Sequence, residues 1–215
     1  LKADIQLLDV GSGLGGPART LAAEFGCRVT GLDLTEEFCQ VATMLTERVG
    51  LADRITFQQG NALDMPFEDS QFDAVWTQFT GMNIENKPLL YDQLRHVLKN
   101  GGLLAIHEIM AGEVNELIYP VFWTNDSSLN FLRLPQEIYQ LLRERGFQEA
   151  VWKDVTQHST EWFRAMIART QQNGPPALGF NVFIADNLPQ KAANMIRNLE
   201  EHRISVIQGV FKLSK

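Results

Sequence analysis

Leu7-Leu8-Asp9-Val10-Gly11-Ser12-Gly13-Leu14-Gly15-Gly16 decides how this chain is read. An apolar run stops in a glycine-rich turn, and Pro17-Ala18-Arg19 opens a helix directly behind it. Glycines let the backbone take positive φ and come close to a ligand. A helix that begins there presents unpaired N–H groups and a partial positive charge. The stretch therefore reads as a buried strand, a cofactor cradle and a helix.

Working outward, residues 5–10 form the first strand. Residues 15–25 carry helical spacing (Ala18, Leu21, Ala22, Phe25) and close at Gly26, a C-terminal cap signal. Residues 28–32 read as a second strand ending at Asp33, and Thr35 can cap a helix over 36–49 that stops at Gly50. Residues 54–59 and 72–79 are strands. Residues 87–98 are a helix with Leu89, Leu90, Leu94, Val97 and Leu98 on one stripe. Lys99-Asn100-Gly101-Gly102 reads as a turn before a fifth strand at 103–110. Strands alternating with helices mean βαβ units, a parallel sheet and helices on both faces: a doubly wound α/β fold.

The pattern breaks at residues 111–133, rich in aromatics and Asn/Ser and without a clear period. A long irregular stretch in a compact domain is usually functional, and this one reads as a lid-like insertion. A helix at 135–145, a strand at 147–155, helices at 159–172 and 188–202 and a closing strand at 204–213 follow. Nothing marks a second domain, so residues 1–215 are read as one. The sequence starts at Leu1 without an initiator Met, a few residues ahead of the first strand. A natural N-terminal segment, able to cover a ligand, is expected before it.

At 215 residues, 45% hydrophobic and 21% charged, the composition is that of one globular domain with a sizeable core. A net charge of -7 argues against nucleic acid as the partner. Cys27 and Cys39 are too few for a disulfide scaffold and read as reduced, partly buried thiols in a cytoplasmic protein. No apolar run approaches the ~18 residues of a membrane span, and no secretory signal is present. The expected partner is a small-molecule substrate, and a homodimer is compatible with the sequence.

Gly11, Gly13 and Gly16 satisfy the dinucleotide pattern G-x-G-x-x-G, while Gly11, Gly13 and Gly15 equally satisfy G-x-G-x-G. Asp33 can accept both hydroxyls of any adenosine ribose, or can simply be a turn or capping Asp. After the third strand, Asn61-Ala62 can bond an adenine edge and let the ring lie flat, or can be a plain loop.

DVGSGLGG, GLDLT, GNALDMPFEDSQFD and LRHVLKNGGLLAIHEI occur in that order. The set resembles the class I S-adenosylmethionine-dependent methyltransferases. It is most similar to the domain shared by ubiquinone/menaquinone biosynthesis C-methyltransferases and sarcosine/dimethylglycine-type N-methyltransferases. Over residues 5–110 the resemblance is one of motifs; beyond that it is one of topology. It implies a Rossmann-like seven-stranded sheet, mostly parallel, with an antiparallel last strand. It also implies S-adenosylmethionine as cofactor and N-, O- or C-methylation of a small acceptor. By the same resemblance, Gly11, Gly13 and Gly15 would pack on the methionyl part, with Ser12 and Arg19 at its carboxylate. Asp33 would take the ribose, Leu34 would pack on adenine, Asn61 and Ala62 would frame its edge, and Gln78 would line the sulfonium end through its backbone. Asn61 departs from the Asp common in the family, and Asn100 from the usual Pro.

His107, near the end of the fifth strand, is the candidate general base, against the alternative of a core histidine. Period two places Ala105, His107 and Ile109 on one face and Glu108 on the other, so His107 and Glu108 are not a dyad. Glu108 reads as structural or as a pocket hydrogen-bonder. Met82 and Asn83 are candidate substrate contacts. In the insertion, Tyr119, Phe122 and Trp123 suit a flat or cationic substrate, or form a hydrophobic plug. Trp162 and Phe163 are expected in the core. No zinc-ligand cluster is seen, so no metal is expected. Gln78-Phe79-Thr80-Gly81 stands where nucleobase methyltransferases carry Asn-Pro-Pro-Tyr, which favours a free small molecule over DNA. An NAD(P)-dependent oxidoreductase on a Rossmann sheet and a non-catalytic binding protein of methyltransferase fold are the competing readings.

Overall fold

A computed structural model describes residues 2–114, 116–177, 179–184 and 186–215. Seven strands form one sheet in the order β3-β2-β1-β4-β5-β7-β6. They are β1 (Gln6–Val10), β2 (Arg28–Asp33), β3 (Ile55–Gln59), β4 (Phe72–Gln78), β5 (Leu98–Ala111), β6 (Phe147–Asp154) and β7 (Ile204–Leu213). β1 to β5 pair in parallel, and β7 runs antiparallel to both β5 and β6. The helices are α1 (Gly16–Phe25), α2 (Glu36–Arg48), α3 (Lys87–Val97), α4 (Pro135–Glu144), α5 (Thr156–Asn173), the short α6 (Phe180–Phe183) and α7 (Leu188–Glu200).

Register sorts the core into faces. Leu7 is level with Val29 and Ala74, and these pack with Ala18, Leu21 and Ala22 of α1. Leu8, one residue on, is level with Val75 and faces the opposite cluster, which holds Leu90 and Leu94 of α3 and Ile138 and Leu142 of α4. Ile109, Ile204 and Val206 pack with Met195 and Leu199 of α7. Connections from β1 thus swing one way and those from β4 the other. The strand order reverses between β1 and β4, the place where open α/β sheets bind ligands beyond the strand ends.

Helix boundaries follow local chemistry. α1 has Pro in its first turn and ends at Gly26 with φ 71°, whose N–H donates to Ala22 O. α2 carries Glu36 and Glu37 in its first turn and Arg48 in its last, matching the helix dipole. In α3 the Asn86 side chain accepts from Leu89 N–H.

Four points of the sequence reading are corrected. Residues 99–102 are not a turn ahead of the fifth strand. Phe72 already pairs with Leu98, Ala74 next pairs with Leu103, and the extra residues bulge out with Gly101 at φ 77°. α5 begins at Thr156 rather than 159, and α6 lies in a stretch that carried no helix signal. Trp162 is 46% exposed, whereas Phe163 packs against the α7 cluster. Both cysteines are free and buried, and among the described residues no helix is long and apolar enough to cross a membrane.

Candidate active site

The turn after β1 is pinned to the tip of β2. Gly11 and Ser12 N–H donate to Leu32 O, at 2.7 and 3.1 Å, and Gly13 N–H donates to Asp33 Oδ2 at 2.8 Å. Asp33 Oδ1 accepts Thr35 N–H at 3.0 Å, so the carboxylate serves the turn. An ionised carboxylate has about four acceptor sites, which leaves room for two more donors. Gly11, Gly13 and Gly15 all have positive φ (74°, 51° and 74°). A Cβ at Gly11 would collide with the Thr80 side chain, and one at Gly15 with the Phe57 ring, while one at Gly13 would meet open space. Side chains are therefore excluded beneath the turn, and its upper side stays open.

Around this cradle the other expected positions take their places. Leu34 is 68% exposed immediately beyond Asp33, an apolar surface left free for a flat ring. Asn61 Oδ1 accepts Leu63 N–H, and Ala62 packs against the core. Arg19 Nη1 donates to Leu14 O at 2.8 Å and to Thr46 Oγ1 at 3.4 Å, tying the turn to α2. Gln78 ends β4 level with His107.

Of two buried polar groups beside the turn, only Asp9 was not singled out from the sequence. Ser12 Oγ, although a named candidate, is buried without a partner, and so is Asp9 Oδ2. Asp9 lies level with Gly31 and Trp76, and burial, then the charge of Asp33, pushes its carboxyl up to about 7. Trp76 Nε1 and His107 Nε2 are likewise buried and unpartnered. Buried polar atoms are normally satisfied, so four orphans on the turn and on the adjacent strands β1, β4 and β5 fit a region that receives polar groups from elsewhere. A polar, partly cationic cofactor such as S-adenosylmethionine fits these donors and acceptors, with Asp33 for hydroxyls and Leu34 for an adenine face.

The loop after β4 forms the next wall. Phe79 holds φ 54°, a left-handed conformation unusual for an aromatic residue, and donates its N–H to His107 O at 2.9 Å. The Phe79 and His107 rings lie 4.7 Å apart. Burial lowers the His107 pKa, so the imidazole is neutral near pH 7. Glu108 faces the other side, as period two requires. It accepts Thr77 Oγ1–H (2.8 Å) and the N–H groups of Thr80 (3.1 Å) and Gly81 (3.0 Å), and burial raises its pKa to about 7. Met82 is buried and Asn83 exposed.

The 111–133 insertion lies over this end of the sheet. Asn130 links its aromatics, accepting from Trp123 Nε1 at 3.3 Å and hydrogen-bonding Tyr119. Asn198 of α7 holds both the N–H and the carbonyl of Ile118 at 2.9 Å, and Asn194 donates to Pro120 O. Leu117, Phe122 and Trp123 pack on the α7 cluster, as the hydrophobic-plug alternative expects. Asn115 lies outside the described residues.

A family model described as a methyltransferase domain matches residues 8–106. That match, the strand order and the glycine turn support a class I S-adenosylmethionine-dependent methyltransferase. Among characterised relatives, it is 36% identical over 114 residues to a sterol 24-C-methyltransferase of Gibberella zeae, covering 53% of this chain and 30% of that one. It is 28% identical over 158 residues to the sarcosine/dimethylglycine N-methyltransferase of Halorhodospira halochloris, covering 73% and 56%. A phosphoethanolamine N-methyltransferase of Haemonchus contortus, solved with S-adenosyl-L-methionine, superposes with a TM-score of 0.82 at 21% identity, over 100% of this chain and 50% of that one. The matched stretches span 30% and 56% of the two sequence relatives' own lengths.

Proposed function

We propose that this protein transfers a methyl group from S-adenosylmethionine to a small-molecule acceptor. The observation that carries this reading is the Asp33 carboxylate, held against Gly13 at 2.8 Å beside the exposed Leu34. It offers a ribose site and a ring platform at the tip of β2, next to an open glycine turn. Gly11, Gly15 and Thr80 keep the turn's shape. Ser12 Oγ and Arg19 are the candidates for the cofactor carboxylate, though Arg19 must give up part of its hold on Leu14 O. Asn61 and Ala62 border the ring, and Gln78 closes the far end through its backbone.

When bound, the cofactor supplies a methyl on a sulfonium whose positive charge is lost in the transfer. The residues do the remaining work by alignment and exclusion of water, which provide much of the rate in such displacements. Phe79, Met82 and Asn83 wall the acceptor site, and Tyr119 and Trp123 roof it. His107 lies three strand spacings from Asp33, roughly 14 Å across the sheet. Its neutral ring can take a proton from an amine, hydroxyl or acidic carbon acceptor. Amines are the first acceptors to test. The likeness to the sarcosine/dimethylglycine enzyme continues past the cofactor half of the chain, and aromatic walls favour cationic groups. The site needs no nucleic acid. A cytoplasmic location and a homodimer complete the proposal.

The test is incubation with S-adenosylmethionine and a panel of small amines, phenols and prenyl compounds, reading S-adenosylhomocysteine released. Acceptor-dependent release supports the proposal. Tight cofactor binding with no release from any acceptor would favour the non-catalytic alternative.

A further inference from the structure

Lys87, in the first turn of α3, is buried, yet its Nζ has no carboxylate in hydrogen-bond contact. Its three hydrogens go to three backbone carbonyls: Gly81 O (2.7 Å), Ile84 O and Phe131 O (2.8 Å). The first two belong to the loop after β4, and the third to the far end of the insertion, 44 residues on. Phe131 N–H returns a bond to Met82 O at 3.0 Å. Glu108 grips the same loop from beneath, taking the Thr80 and Gly81 N–H groups. The Gly81 residue thus donates to a buried acid and accepts from a buried amine. Gly81 leaves little room for anything larger, since a Cβ there would lie 3.3 Å from Glu108 Oε2.

A buried ammonium costs several kcal/mol to desolvate, so its retention on carbonyls of two separate segments calls for a role beyond filling space. An apolar side chain would avoid that desolvation but would leave the three carbonyls without their shared donor. We propose that Lys87 is a positioning residue that locks the acceptor loop 79–84 to the roof at Phe131, with Glu108 as the counter-grip. The roof then cannot lift without disturbing Thr80, which packs on Gly11 of the cofactor turn, or Phe79, whose ring lies tilted against His107. Acceptor admission and the shape of the methyl-transfer site are coupled through one amine. This inference rests on the proposed methyltransferase reading only for the meaning of the site; the mechanical coupling stands on its own.

The experiment is hydrogen exchange of the full chain with and without S-adenosylhomocysteine, for wild type, Lys87→Met and Glu108→Gln, together with calorimetric affinity for that ligand. Lys87→Met is expected to speed exchange by about tenfold or more in both 79–86 and 129–134, while 6–10 and 28–33 change by less than about twofold. The affinity of the variant for the ligand is expected to stay within about threefold. Glu108→Gln, the milder change, should loosen both loop segments in the same direction and serves alone if Lys87→Met does not fold. Faster exchange confined to 79–86, or equal acceleration across the sheet, would overturn the coupling. Failure of the wild type to bind S-adenosylhomocysteine would instead defeat the methyltransferase reading and leave the exchange result decisive for Lys87.

Discussion

Gly13 donates its backbone N–H to the Asp33 carboxylate at 2.8 Å, so the glycine turn and the tip of the second strand are fastened by the group expected to bind ribose. Asp33→Ala removes both that fastening and the acceptor for two hydroxyls. S-adenosylhomocysteine affinity measured by calorimetry should fall by roughly 1–3 kcal/mol, the loss expected for charged hydrogen bonds. Unchanged affinity would remove the ribose role from Asp33.

The three turn glycines are not equivalent. Gly15→Ala drives a Cβ into the Phe57 ring at a φ of 74°, whereas Gly13→Ala enters open space and meets only backbone strain. Urea unfolding should show Gly15→Ala costing roughly 2–3 kcal/mol and Gly13→Ala about 1 kcal/mol. Equal costs would mean that Phe57 does not buttress the turn.

Asp9 gives the fold a pH signature. Its carboxyl keeps a proton up to about pH 7 in the native state and only to 3.8 as a free side chain, because burial disfavours its charge. Between those values the native state binds more protons than the unfolded chain. The contribution of Asp9 to stability therefore falls as pH rises through that window, by roughly 4 kcal/mol in all. Asp9→Asn should cancel this slope, seen as a shrinking wild-type-minus-variant stability difference between pH 4.5 and 7.5 in denaturant titrations. Parallel curves for the two proteins would contradict the buried, protonated state.

His107→Gln separates chemistry from binding. With whichever acceptor the panel reveals, kcat is expected to fall about 100-fold or more, as for removal of a general base. S-adenosylhomocysteine affinity should stay within about twofold. In the wild type the acid limb of the kcat–pH profile lies below the ordinary histidine range, since burial lowers the His107 pKa, and it should vanish in the variant. A variant with full kcat would make His107 a packing residue against Phe79.

Most of the sheet is legible from punctuation. Gly26 and Gly50 end helices, Pro17 opens one, and alternating faces follow from period two, which also separates His107 from Glu108 correctly. The bulge at Gly101-Gly102 was hidden because a glycine pair signals a turn whether or not the flanking residues pair with a neighbour. Only the register Phe72–Leu98 against Ala74–Leu103 shows that the ladder continues past it. The candidate cofactor residues come from strand ends at fixed spacing, and the strand order brings those ends side by side. The Lys87–Glu108 grip was not legible, since it joins carbonyls and amides from two separate segments, and backbone partners leave no trace in side-chain identity. Nothing in the sequence singles out Asp9. Its burial depends on Gly31 and Trp76 standing level with it, a fact of register rather than of local sequence.

Calorimetric titration of the purified protein with S-adenosylhomocysteine, run beside NADH, tests the central claim most directly. Saturable one-to-one heat with the first ligand, accompanied by a rise in Tm, and none with NADH is the predicted result. Neither heat nor a thermal shift with S-adenosylhomocysteine, or saturable binding of NADH in its place, would contradict it.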